Sequence, residues 1–178
     1  MEIFLLNDKK KLFTIIPNLF TISNLLLGFL SLIYASEGYF KMAAIMILFS
    51  VILDGMDGKV ARKLDVSTLF GKELDSLSDL VSFGVAPAML LYQQTLHKYF
   101  GFWGLLAVLL FVTCGALRLA RFSVLNISDY FLGIPITAAG GLVALISLLA
   151  GQISPLATII TTVSLALLMV SNLKVPKY

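Results

Sequence analysis

Six apolar stretches, near residues 17–35, 40–58, 75–95, 101–120, 131–150 and 155–173, take up most of the chain. Each is about 20 residues, the length a helix needs to cross a ~30 Å hydrocarbon core. The composition agrees: 59% of the residues are hydrophobic and 13% charged, against ~25% charged in ordinary soluble domains, and the mean hydropathy is +0.98. The expected fold is all-α, an integral, multi-pass membrane protein of six transmembrane helices. The breaks between stretches carry turn chemistry: Ser36-Glu37-Gly38, the polar segment Lys59 to Lys72, His97-Lys98, Asn126 to Asp129, and Gly151-Gln152 through Pro155. With no internal repeat, no low-complexity tract and no loop long enough for a second folded unit, residues 1–178 read as a single membrane domain.

Charge placement orients the chain. Numbering the loops from the N-terminus, one side collects Lys9, Lys10, Lys11, Lys59, Arg62, Lys63, Lys72, Arg118, Arg121, Lys174 and Lys177, and the other only Lys41 and Lys98. The positive-inside rule then puts both termini on the cytoplasmic side. Met1 to Leu12 lacks the short apolar core and small-residue cleavage site of a secretory leader, so none is expected. The segment around Lys9 to Lys11 reads either as a short interfacial helix facing anionic headgroups or as a flexible basic tail. A net charge of +3 is no nucleic-acid signature, and a lone Cys114 in an apolar stretch is a small packed residue.

Against this background the acids stand out. Six of the ten lie between Asp54 and Asp79, four of them spaced as Asp54-x-x-Asp57-Gly58-x-x-Ala61-Arg62-x8-Gly71-x-x-x-Asp75-x-x-x-Asp79. A carboxylate at mid-bilayer costs roughly 2.5–3.5 kcal/mol or more, so those that persist usually have a task. Helical steps of three and four put Asp54, Asp57, Gly58 and Ala61 on one face and Asp75 and Asp79 on another. Gly58 and Ala61 remove bulk beside the acids, which gives a phosphate or nucleoside room to approach the backbone. Four neighbouring carboxylates repel unless cations are present. Oxygen-only ligands favour hard ions, Mg²⁺ or Mn²⁺ with Ca²⁺ a third choice, over Zn²⁺. Two divalent cations ~3.5–4 Å apart would balance four acids and clamp a pyrophosphate for displacement at phosphorus. Arg62 adds planar donors suited to phosphate oxygens. Asp65 and Glu73 fall off the pattern and read as loop charge.

The run resembles the signature of the CDP-alcohol phosphatidyltransferases, D-x-x-D-G-x-x-A-R-x8-G-x-x-x-D-x-x-x-D, and every fixed position is matched. The resemblance implies a six-helix membrane enzyme, expected as a homodimer, that moves a phosphatidyl group from a CDP-diacylglycerol-type lipid to an alcohol and releases CMP. It implies that Asp54, Asp57, Asp75 and Asp79 are metal ligands and that Asp79 is also the general base, within ~2.6–3.2 Å of the acceptor hydroxyl or one water away. By the same resemblance Gly58, Ala61, Arg62, Thr68 and Gly71 contact the CDP-lipid. So do Asn18, Thr21 and Asn24 in the polar start of the first span, residues that would otherwise serve only to cap the first helix.

The acceptor is read from Arg118-Leu119-Ala120-Arg121-Phe122 and Tyr130 to Gly140, which resemble the serine-accepting branch of the family. Ser123 stands where that branch often has Asn, and Ile136-Thr137 replaces its x-Pro. Arg118 and Arg121, three apart, can grip the carboxylate of L-serine; as alternatives they would hold the phosphate of glycerol phosphate or inositol phosphate, or simply anchor lipid headgroups. A synthase for phosphatidylglycerol phosphate or an inositol-phosphate lipid is therefore the rival within the family. A divalent-cation transporter is the rival outside it, and would spread its acids through the membrane depth. Pro87 predicts a kink in the third span. Gly84, Ala86 and Ala88 read as packing residues, and Tyr34, Tyr39, Phe40, Tyr92, Tyr99 and Phe100 as an interfacial belt on the side away from the acids. His97, at that far boundary, is not expected to act as a base.

Overall fold

The computed structural model describes the backbone of residues 2–64, 68–125, 130–171 and 174–176, and the side chains of 18–56, 68–123 and 133–171. Six helices run through it: α1, Glu2–Ser36; α2, Phe40–Leu64; α3, Leu69–Phe100; α4, Phe102–Leu125; α5, Ile136–Leu148; and α6, Pro155–Val170. Asn18–Ser36 of α1, the whole of α3 and Phe102–Ser123 of α4 are long and apolar enough to cross a membrane; α5 and α6 are shorter apolar helices. At ~1.5 Å per residue, the 13 residues of α5 span about 20 Å.

The helix ends differ from the sequence expectation in ways that local chemistry explains. α1 runs from Glu2 through to Ser36 as one helix of 35 residues, with no break between an interfacial segment and the first span. It stops where Gly38 takes φ +83. Helix takes over much of the expected polar break from Lys59 to Lys72: α2 continues to Leu64 and α3 begins at Leu69. Thr68 makes that start: the Gly71 N–H donates to its Oγ1 at 3.0 Å, a side-chain N-cap. The break expected at His97-Lys98 moves to Gly101, at φ +51, and His97 lies inside α3 with its Nδ1 3.0 Å from the Tyr92 hydroxyl. Asp65 and Asn126 to Asp129 lie outside the described residues.

The chain is not wholly α. Tyr130–Leu132 forms a strand, β1, paired antiparallel with β2, Lys174–Pro176, so that Phe131 faces Val175 in register. The fifth stretch was expected to be helical from about residue 131. Gly133, at φ +71, and Pro135, at φ −57 and ψ 140, keep the backbone out of the helix until Ile136.

α3 is the central element and touches each of the other five helices. It carries much of the core, with Phe83, Leu90, Leu91 and Leu96 buried beside Ile47 of α2, Phe111 of α4, Ile136 of α5 and Met169 of α6. The outward faces keep large apolar side chains exposed, among them Leu26 and Phe29 of α1, Phe49 and Ile52 of α2, and Ile160 and Leu167 of α6. An apolar exterior of that extent suits lipid rather than water.

Pro87 produces a wider helix turn. It offers no N–H to the Phe83 carbonyl four residues back, and its ring would crowd that carbonyl in a regular α-helix. Leu80–Val85 is π-helical, and the Ala86 N–H donates to Val81 O, five residues back. α5 closes on this turn through Gly140, where a Cβ would lie 2.6 Å from Phe83 O and 2.8 Å from its Cα. On its other side α3 meets α1 through a serine ladder. Ser78 Oγ donates to Thr21 O at 3.0 Å and Ser82 Oγ to Asn24 O at 3.0 Å, while a Cβ on Gly28 would run into Ser82.

Candidate active site

α2 and α3 present their acids to each other. Asp54 comes from α2, and Asp75 and Asp79, one turn apart, from α3. Each offers a carboxylate oxygen, and these oxygens all lie within 4.8 Å of one another. Asp79 is buried, Asp54 and Asp75 half-buried. The charge of Asp54 acts directly on Asp75, so bringing the groups together raises the energy of the fully ionised cluster unless a cation joins it.

The cluster fits a hard cation. Oxygens bonded to one ion at ~2.0–2.6 Å lie roughly 3–5 Å apart, the spacing found here. Asp75 Oδ1 is also buried with no hydrogen-bond partner among the described residues, which leaves its lone pairs available. Asp54 has one oxygen secured from a segment that the sequence tied to the acceptor and not to the acids: Thr137 Oγ1, in the first turn of α5, donates to Asp54 Oδ2 at 3.2 Å. The available signal was a hydroxyl residue opening an otherwise apolar helix, and it gained meaning only when α5 packed on α2. The side chains of Asp57, Gly58, Ala61 and Arg62 lie outside the described residues, although α2 runs through their positions.

The other expected site residues divide by depth. Asn18 and Gly71 are neighbours near the start of α3, with a Cβ on Gly71 falling 3.2 Å from Asn18 Oδ1 and 3.1 Å from Thr68 Oγ1. Thr21 is buried along the α1–α3 contact, and Asn24 is 0% exposed. Arg118 of α4 is half-buried, feels the charge of Asp79, and has its Nε buried with no hydrogen-bond partner among the described residues. A cation donor is thus kept beside the carboxylates with capacity for an anion. Arg121 follows three residues along α4 and is also half-buried.

Glu73, expected to be loop charge, lies in α3 and accepts a hydrogen bond from Ser123 Oγ of α4 at 2.9 Å. The two residues line one end of a cavity of about 170 Å³ between α3 and α4, with Leu77, Leu80, Ala116 and Leu119 along its walls. Helical periodicity puts this cavity on the side of α3 turned away from Asp75 and Asp79. Its walls are mostly apolar, so the chemistry belongs to the acid cluster.

The sequence around the cluster matches the family model of the CDP-alcohol phosphatidyltransferases over residues 14–170. The chain belongs to the CDP-alcohol phosphatidyltransferase family. Its relatives in that family include a protein of Helicobacter pylori named CDP-diacylglycerol–serine O-phosphatidyltransferase, 44% identical over 91% of this chain and 72% of the relative. A Bacillus subtilis protein of the same name is 37% identical over 92% of this chain and 90% of its own length. A Methanothermobacter thermautotrophicus protein named archaetidylserine synthase is 38% identical over 97% of this chain and 75% of its own. For a CDP-alcohol phosphatidyltransferase the arrangement is chemically coherent: oxygen ligands for cations meet a guanidinium at one edge of an apolar helical bundle.

Proposed function

We propose that this chain transfers a phosphatidyl group from a CDP-diacylglycerol-type lipid to L-serine, forming a phosphatidylserine-type lipid and CMP. The observation that carries the proposal is the convergence of Asp54, Asp75 and Asp79 oxygens within 4.8 Å, beside a guanidinium that feels Asp79. Carboxylates gathered on one level suit clamping a pyrophosphate; a conduction path would string them through the membrane.

Asp54, Asp57, Asp75 and Asp79 would hold two divalent cations, Mg²⁺ or Mn²⁺, which when bound neutralise charge developing on the leaving CMP. Asp79 takes the proton from the serine hydroxyl. The freed oxygen forms a new bond to the lipid-linked phosphorus as that phosphorus loses its bond to CMP, so one displacement completes the transfer. Arg118 and Arg121 hold the serine carboxylate, for which paired guanidinium donors are well matched. Asn18, Thr21, Gly58, Ala61, Arg62, Thr68 and Gly71 form the face that receives the cytidine diphosphate. In this reading all six helices cross the bilayer, the site and both termini face the cytoplasm, and a soluble amino acid meets an embedded lipid at the membrane edge. The homodimer is carried over from the family alone.

The deciding experiment supplies labelled serine, glycerol phosphate and inositol phosphate in parallel to the purified protein with CDP-diacylglycerol and Mg²⁺ or Mn²⁺. Label is expected in lipid only with serine, matched by equimolar CMP. Incorporation of either phosphate instead of serine would overturn the acceptor assignment and keep the donor chemistry. Flux of Mg²⁺ or Mn²⁺ into proteoliposomes without CMP release would overturn both.

A further inference from the structure

We propose that Asn24 is a positioning residue for the carboxylate cluster, securing it from beneath through its side-chain amide. This rests on reading the cluster as a cation site. Two observations carry the proposal. Asn24 is 0% exposed, and both its Oδ1 and Nδ2 are buried with no hydrogen-bond partner among the described residues. A fully orphaned amide is costly to bury, and side chains in that state are rare unless something else completes them. The second observation is depth. The Asn24 carbonyl accepts from Ser50 Oγ of α2 at 3.3 Å and from Ser82 Oγ of α3 at 3.0 Å, which pins this residue at the junction of α1, α2 and α3.

One turn from Ser50 along α2 is Asp54, and about one turn back from Ser82 along α3 are Ser78, bonded to Thr21 O, and Asp79. Asp54 and Asp79 therefore stand about one turn above Asn24, toward the N-terminus of α1, and Asp75 about one turn further. Side chains on a helix lean toward its N-terminus, so the Asn24 amide leans toward them. Asn24 lies six residues deeper along α1 than Asn18, roughly 9 Å at the helical rise. That depth suits the floor of the site better than the nucleotide face on which the family resemblance placed it.

The test is Mn²⁺ binding to the full chain in detergent, read from the free Mn²⁺ resonance, together with the melting temperature of the metal-free protein. Asn24→Leu preserves shape and removes the amide; it is expected to weaken Mn²⁺ about 10–100-fold, the usual effect of losing a group that orients metal ligands. The metal-free melting temperature should hold or rise, because an unsatisfied buried amide has gone. Asn24→Ala, which keeps α1 free of a bulky replacement, should show the same loss of Mn²⁺ affinity. Wild-type Mn²⁺ affinity in both variants with a lowered melting temperature would make Asn24 a packing residue and overturn the proposal. Wild-type Mn²⁺ affinity with weakened CMP binding would overturn it in favour of a nucleotide contact. If the unmodified chain does not bind Mn²⁺, while Asp75→Asn behaves identically, the cation reading falls and this proposal with it.

Discussion

At the residue scale, the division of labour among the aspartates is the sharpest consequence. Asp79 is the buried member of the cluster and the one whose charge reaches Arg118. Asp79→Asn should lower transfer by at least ~10²–10⁴-fold, the usual contribution of a positioned base, while a fluorescent CDP-lipid still binds. Near-normal turnover in that variant would remove the base assignment. Thr137 is the second consequential residue, because it donates to Asp54 and belongs to neither half of the aspartate run. Thr137→Val should weaken Mn²⁺ by about tenfold, and Thr137→Ser should restore it. An unchanged titration in the valine variant would reduce this bond to an incidental contact. The aspartates were readable in the sequence because their spacing is regular along two helices. Thr137 was not, since it lies 83 residues from Asp54 and only packing brings them together.

At the element scale, α3 decides the form of the site. Its N-cap at Thr68 starts the helix early enough to place Asp75 and Asp79 well inside it. The π turn before Pro87 then redirects its middle against Gly140 of α5. Because α5 also delivers Thr137, the contact at Gly140 sets the position of Asp54's partner. Gly140→Ala should overpack this crossing and cost about 1–3 kcal/mol, seen as a lower melting temperature in detergent together with weaker Mn²⁺ binding. Retention of wild-type stability would mean that α3 and α5 can separate without loss. Pro87 was legible as a perturbation, but the form it takes was not. The sequence marks a missing N–H, whereas the choice between a bend and a widened turn depends on what lies against the Phe83 carbonyl. Likewise, Gly133 and Pro135 are visible turn formers, yet the ribbon of β1 and β2 requires the distant Lys174–Pro176 to arrive beside them.

At the scale of the whole molecule, the placement of the basic residues predicts one orientation in the bilayer. With Cys114 replaced by Ala, single cysteines at Lys72 and at Glu37 should report opposite sides to an impermeant maleimide applied to intact cells. Glu37 is expected to label and Lys72 to stay protected; the reverse pattern would invert the proposed topology. Metal dependence is a property of the assembled bundle. Exhaustive chelation should abolish transfer, and Mg²⁺ or Mn²⁺ should restore it, since no single helix holds the three clustered acids. By itself, the sequence determined membrane residence, a helical fold, the family and the four aspartates of its run. Those features are local or periodic: apolar length, charge placement and fixed spacing survive in one dimension. Only the tertiary structure decided that Thr137 holds Asp54, that Arg118 stands beside Asp79, and that Asn24 is sealed beneath the acids. Each joins residues on different helices, and burial, close approach and unpaired polar atoms arise only when those helices pack.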